Sequence, residues 1–161
     1  MSTSKRTGVI SPRELEEKGL LPPLERLLKG PVAVLECPEE IPCDVCTASC
    51  PFHAITKSRI YDTPKLDPDK CIGCGVCVAR CPGLAIFVVD LSKPGKAYVT
   101  LPYEMLPQPS KGVQVELLDR EGVKVGESVV VKAWSYDGTW VVTVEVPRDK
   151  WLDVRAIRVK R

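Results

Sequence analysis

The sequence predicts an α+β fold in which a duplicated cysteine-bearing domain is followed by a small C-terminal antiparallel β barrel or sandwich. Three observations carry this expectation. All 8 cysteines of the 161 residues lie between positions 37 and 81. Two cysteine runs within that stretch superpose at a fixed offset of 31 residues. Past Pro94-Gly95 the chain becomes Val-rich and alternating, and cysteine disappears.

Residues 1–30 form an N-terminal helical arm. Ser11-Pro12-Arg13-Glu14 has a capping hydroxyl, a proline at the first helical position and a glutamate at the third, and Gly19 is placed to close that helix. A second helix is expected from about Pro23 to Lys29, with Leu24, Leu27 and Leu28 on one face and Gly30 as its stop. Neither is long enough to hold in water alone, so both must pack on something.

Residues 31–95 hold the repeat. Cys43 to Ile55 laid over Cys74 to Ile86 gives 8 identities in 13 positions, which marks a duplicated unit built around cysteine. The second copy reads Cys71-x2-Cys74-x2-Cys77-x3-Cys81-Pro82. One loop can turn three thiolates with this spacing inward on a single cluster, while the fourth, a helical turn later, points to another site. This is the spacing of a bacterial ferredoxin-like domain with two [4Fe-4S] clusters, in which the last Cys of each run serves the other cluster. The first copy departs from it as Cys37-x5-Cys43-x2-Cys46-x3-Cys50-Pro51, three residues longer in one loop and with no ligand lost. Crossed ligation assigns Cys37, Cys43, Cys46 and Cys81 to cluster one, and Cys71, Cys74, Cys77 and Cys50 to cluster two. Cys37, with the irregular spacing, is the weakest member. Zinc sites also use Cys-x2-Cys pairs, but no tetrahedral site explains a triplet. Gly73 and Gly75 suit a loop that wraps a cluster closely.

Charged residues near the two sets differ. Glu36, Glu39, Glu40 and Asp44 surround the ligands of cluster one, and Lys70 and Arg80 flank those of cluster two. Negative charge disfavours adding an electron, so cluster one is expected to have the lower potential. His53, the only histidine, faces Leu84 in the repeat and is expected in a packing or surface role.

Residues 96–161 form the small β domain, expected with the arm to serve as a docking surface for partners, with strands expected over 97–101, 113–118, 128–135, 140–146 and 154–159. Turns are expected at Asp119-Arg120-Glu121-Gly122 and at Asp137-Gly138, the latter as a two-residue hairpin. Trp134, Tyr136, Trp140 and Trp151 are expected in its core or at an interface, and Arg155, Arg158, Lys160 and Arg161 on a solvated strand face.

Composition narrows the function. With 44% hydrophobic residues the chain is not disordered, and a net charge of +2 gives little bulk attraction to nucleic acid. No apolar run approaches the ~20 residues of a membrane span. The polar start leads into no apolar signal region, so a cytoplasmic location is expected, and there eight cysteines point to metal rather than to disulfides. The absence of Asn, with two Gln, two Met and 15 Pro, predicts a thermophilic source. Neither a glycine-rich dinucleotide fingerprint nor an acid/base constellation is present, so no catalytic residue is assigned and substrate chemistry is expected on another subunit.

Over residues 31–90, and at the segment from Pro31 to Pro51 in particular, the chain resembles the ferredoxin-like small subunits of FAD-dependent dehydrogenases of anaerobic thermophiles, which act on proline, other amines or glycerol 3-phosphate. The resemblance implies an electron-transfer subunit with two [4Fe-4S] clusters on the eight cysteines, FAD on a flavoprotein dehydrogenase partner in a hetero-oligomer, and single electrons relayed onward. The alternatives are a free-standing two-cluster ferredoxin and, more remotely, a nucleic-acid-binding protein with structural clusters and an oligonucleotide-binding barrel.

Overall fold

The computed structural model describes residues 3–161. The arm contains three short helices: α1 (Thr3–Thr7), α2 (Pro12–Glu17) and α3 (Leu24–Lys29). As expected, Ser11 caps α2, its hydroxyl accepting the Glu14 N–H at 3.2 Å. Glu14 is buried and accepts from the Ser4 backbone and hydroxyl, which ties α1 to α2. In α3 the leucines do not share one fate: Leu27 is buried in the main core, whereas Leu24 and Leu28 are exposed. This six-residue helix presents only one leucine to the core. It is anchored there by the Leu91 N–H donating to the Leu27 carbonyl.

Two β-α-β halves follow. The first is β1 (Val32–Leu35), α4 (Val45–Ser49) and β2 (Ile55–Thr56); the second is β3 (Lys65–Leu66), α5 (Val76–Arg80) and β4 (Ile86–Asp90). β1 pairs antiparallel with β4, and β2 with β3. The chain then adds β5 (Lys96–Tyr103), β6 (Gln114–Leu118), β7 (Lys124–Tyr136), β8 (Thr139–Pro147) and β9 (Ala156–Val159), close to the five strands that alternation predicts. At the β7–β8 turn Asp137 and Gly138 both have positive φ, 48° and 88°, the backbone of the expected hairpin turn.

These five strands do not close a barrel. They continue the β1–β4 pair into one antiparallel sheet of order β1-β4-β5-β8-β7-β6-β9, because the free edge of β4 accepts β5 in register, Val89 opposite Val99. The irregularity between Val130 and Lys132 splits the pairing of β7. Its first part faces β6, its second β8, and such a break re-aims a long strand. One main core results, containing Val99, Leu117, Val144 and Ile157 from four different strands.

β1 and β4 are buried on both faces. Val32, Val34, Phe87 and Val89 face the main core, while Ala33, Leu35, Ile86 and Val88 join a second core with Val78 of α5 and the buried Cys46 and Cys77. These two strands are a wall shared by the cysteine-bearing helices and the C-terminal strands. No helix among the described residues is long and apolar enough to cross a membrane.

Candidate metal centre

The 31-residue offset is a geometric relation as well as a sequence one. Helix α4 maps onto α5, and the Ala48 N–H bond to the Asp44 carbonyl maps onto that of Ala79 to Gly75, at 3.1 and 3.2 Å. After each helix one residue turns left-handed, His53 at φ 51° and Leu84 at φ 52°. The next amide then donates to a sulfur: Ala54 N–H to Cys50 Sγ and Ala85 N–H to Cys81 Sγ, both at 3.4 Å. This left-handed step lets the chain bend back so that the amide faces the thiol of the cysteine three residues before the turn residue. His53 is exposed.

The eight side chains collect in two cavities. Cys37, Cys43, Cys46 and Cys81 line one; Cys50, Cys71, Cys74 and Cys77 line the other. Each cavity draws three cysteines from one half of the repeat and the fourth from the other half. Burial is the first cause of the raised thiol pKa values. It pushes Cys77 up to about 12, helped by Cys71, Cys74 and Cys50. It raises Cys37 with help from Cys81, against Lys57, and it raises Cys46 against Lys57 with Cys81 assisting. Thiols held protonated in this way are poor nucleophiles, and a coordinating metal is what removes their protons. All eight cysteines are free.

The donor set fits [4Fe-4S] clusters better than single ions. Among the described residues no three Cys, His, Asp or Glu side chains converge on a point where one ion could sit, as tetrahedral zinc at about 2.3 Å from each sulfur requires. Instead the sulfurs surround a volume, and backbone amides turn towards them, including the Ala33 N–H on Cys71 Sγ at 3.3 Å. Amide donors to cluster thiolates are a usual means of stabilising such centres.

Segments far from the cysteines shape the second cavity. Gly73 has φ 70°, and a Cβ there would lie 2.5 Å from Pro31 Cβ and 2.7 Å from its backbone; only glycine allows the Cys71 loop to lie this close to β1. Arg26 of α3 clamps the same loop with a planar fork of donors. Its Nε reaches the Pro68 carbonyl, Nη1 that of Gly30, and Nη2 those of Pro31 and Cys71, at 2.6–3.0 Å. On the other side Trp134 of β7 packs over Gly75, which has φ 83° and would put a Cβ 3.3 Å from the indole. Arg80 of α5 stacks on Tyr136 and donates to its hydroxyl at 2.7 Å. Trp134 thus closes this wall of the site, while Trp140 and Trp151 pack against the main core.

The first cavity has a different surround. Glu36, next to Cys37, does not add free negative charge. Its buried carboxylate accepts from Arg120 through both oxygens and from Arg155 Nε, all at 2.8 Å. Arg120 rides on the 119–122 turn, held in part by the Leu152 carbonyl. Arg155, expected on a solvated face, is instead buried, stacks 5.0 Å over Phe87 and donates to the Trp151 and Val154 carbonyls. Arg158 and Lys160 do lie at the surface edge, paired with Glu116 and Glu127. Lys57 Nζ donates to the Cys43 carbonyl. The acidic loop of the sequence therefore reduces to Glu39, Glu40 and Asp44, which are exposed and screened by water.

Family comparison agrees with the donor chemistry. A 4Fe-4S dicluster domain matches residues 41–85, and a 4Fe-4S single cluster domain matches residues 65–156. No curated protein and no solved structure gives a significant match. The second match spans more than half of the 161 residues and runs through the C-terminal strands: the chain belongs to the 4Fe-4S single cluster domain family, and it is a ferredoxin-type iron–sulfur protein.

Proposed function

We propose that this protein is the electron-transfer subunit of a multisubunit oxidoreductase, carrying two [4Fe-4S] clusters between a flavoprotein partner and an acceptor. The observation that carries the two-cluster assignment is the grouping of eight cysteines into two cavities, each with three from one repeat and one from the other. Cys37, Cys43, Cys46 and Cys81 would hold cluster one; Cys50, Cys71, Cys74 and Cys77 would hold cluster two. A bound cluster of this kind takes up and returns one electron at a time. The chain's own part is to supply thiolates, turn backbone amides towards sulfur and keep bulk water from the sites.

Cys74 is exposed, and so are the apolar side chains of Ile72 and Phe52, which line the second cavity with it. That edge is the natural approach for a partner centre. FAD belongs to the partner, since this chain has neither a dinucleotide fingerprint nor a substrate-activating constellation. Purification of the native protein tests the assignment: co-elution with a flavin-containing subunit whose substrate bleaches the iron–sulfur absorbance is expected, and a flavin-free monomer serving several enzymes contradicts it.

One observation favours the free-standing two-cluster ferredoxin as a second reading. The arm and the C-terminal strands, which could have been docking surfaces only, are spent on this chain's own sites through Arg26, Trp134, Arg120 and Arg155. The same purification separates the two.

A further inference from the structure

We propose that the cluster held by Cys37, Cys43, Cys46 and Cys81 is the higher-potential member of the pair, set there by a surplus of buried positive charge from Arg120 and Arg155. This reverses the order that the local sequence suggests, and it rests on the two-cluster assignment above.

The charge inventory is short. Glu36 lines the first cavity beside Cys37, and its side chain is 4% exposed. Two guanidinium groups, 9% and 5% exposed, face that one carboxylate. Arginine does not deprotonate in proteins, so two cations against one anion leave one positive charge inside the wall of the site. Asp153 also acts on Arg155 through space, without an ion-pair contact. No carboxylate other than Glu36 among the described residues lies in ion-pair contact with either arginine, and Arg155 Nη2 is buried with no hydrogen-bond partner. Lys57, which also lines this cavity, adds a second cation at the Cys43 carbonyl.

None of the residues lining the second cavity is charged, but Arg26 donates to the Cys71 carbonyl at 2.6 Å as Lys57 does to the Cys43 carbonyl. These two cations offset each other, and the difference between the sites rests on the buried triad. The nearest cations in sequence, Lys70 and Arg80, are exposed. Lys70 lies 3.8 Å from Asp67, so its field is both screened and partly cancelled. Backbone donors do not separate the sites either, since amides of Glu39, Thr47 and Ala85 serve the first set and those of Ala33, Ala54 and Val78 the second. Adding an electron makes a cluster more negative, and a nearby buried cation favours that state with little screening. Glu39 also lines the first cavity, but it and Glu40 are exposed, so they oppose the buried surplus through water and weakly.

The test is a potentiometric titration of the full-length protein followed by electron paramagnetic resonance. The signal perturbed by Cys37→Ser identifies cluster one. Its midpoint is expected above that of the other signal. Arg120→Gln leaves Glu36 paired with Arg155 and removes the surplus. At a fixed potential it should lower the reduced-to-oxidised ratio of cluster one about tenfold, equivalent to about 59 mV for one electron, with cluster two unmoved. Lys57→Met, a change nearer the surface, should move the same midpoint in the same direction by less, and it keeps the test open if Arg120→Gln does not fold. A cluster-one midpoint at or below that of cluster two, or one that neither substitution moves, overturns the proposal. A single signal with about four iron per chain instead overturns the two-cluster assignment itself.

Discussion

The two cysteine cavities are made by one duplicated unit and finished by different parts of the chain. Their common features repeat at 31 residues: a short helix, a left-handed residue, an amide on a sulfur. Their differences come from outside the repeat. The second cavity is braced by packing and by bonds to backbone, with Gly73 against Pro31, the Arg26 guanidinium on carbonyls, and Trp134 over Gly75. The first is braced by charge, through Glu36 between two arginines. The repeat gives two equivalent sets of cysteines; the arm and the C-terminal strands make their surroundings inequivalent.

The strongest way to break this contrast is Glu36→Ala. Removing the carboxylate that both arginines share leaves two guanidinium groups uncompensated, and a loss of about 3–5 kcal/mol is expected. Thermal denaturation should show it as a large fall in Tm. A change within the ~1 kcal/mol typical of a surface pair such as Arg13–Glu17 would place the ion triad among ordinary surface charges.

Gly73→Ala probes the opposite cavity. The positive φ alone costs about 1–3 kcal/mol, and the overlap with Pro31 adds to it. Iron analysis of the purified variant should show selective loss of one cluster. Gly83→Ala is the control, since a Cβ there meets nothing within 4 Å; equal iron loss in both variants would contradict the role given to Gly73.

Arg26→Ala removes charge-assisted bonds to four carbonyls and should cost about 1.5–3 kcal/mol. The Cys71 loop should then release iron to a chelator faster than the Cys43 loop does. Arg26→Lys should restore little, because an ammonium lacks the planar fork. Full rescue by lysine would mean that charge, not geometry, is what the loop needs.

The smallest expected effect sharpens the symmetry of the repeat. His53→Gly and Leu84→Gly each relieve a left-handed backbone, by about 1 kcal/mol or less. Chemical denaturation of the two variants should give similar gains, with a small deduction at Leu84 for its lost packing. A marked fall in iron content for His53→Gly would reveal a role for the imidazole that its exposure does not suggest.

Much of this was legible locally. The cysteine spacing predicts both ligand sets, the cap at Ser11 starts α2, and period-two alternation marks β5 to β9 within a few residues. For the cysteines, what the structure shows is their grouping in two cavities. What escapes is non-local. β1 and β4 are buried on both faces, so they show continuous apolar runs rather than alternation, and nothing in 96–161 reveals that β5 will extend their sheet. Glu36 finds Arg120 and Arg155 at separations of 84 and 119 residues. In sequence Glu36 looks like part of an acidic loop and Arg155 like part of a basic tail. Leu24 and Leu28 fit the helical period but end exposed, because a single turn of α3 touches the core.

The central claim is that eight cysteines hold two four-iron clusters in crossed sets. Iron and acid-labile sulfide analysis of anaerobically purified protein, with electron paramagnetic resonance on reduction, tests it most directly. About eight iron per chain and two interacting paramagnetic centres are predicted; four iron and one isolated centre would contradict it.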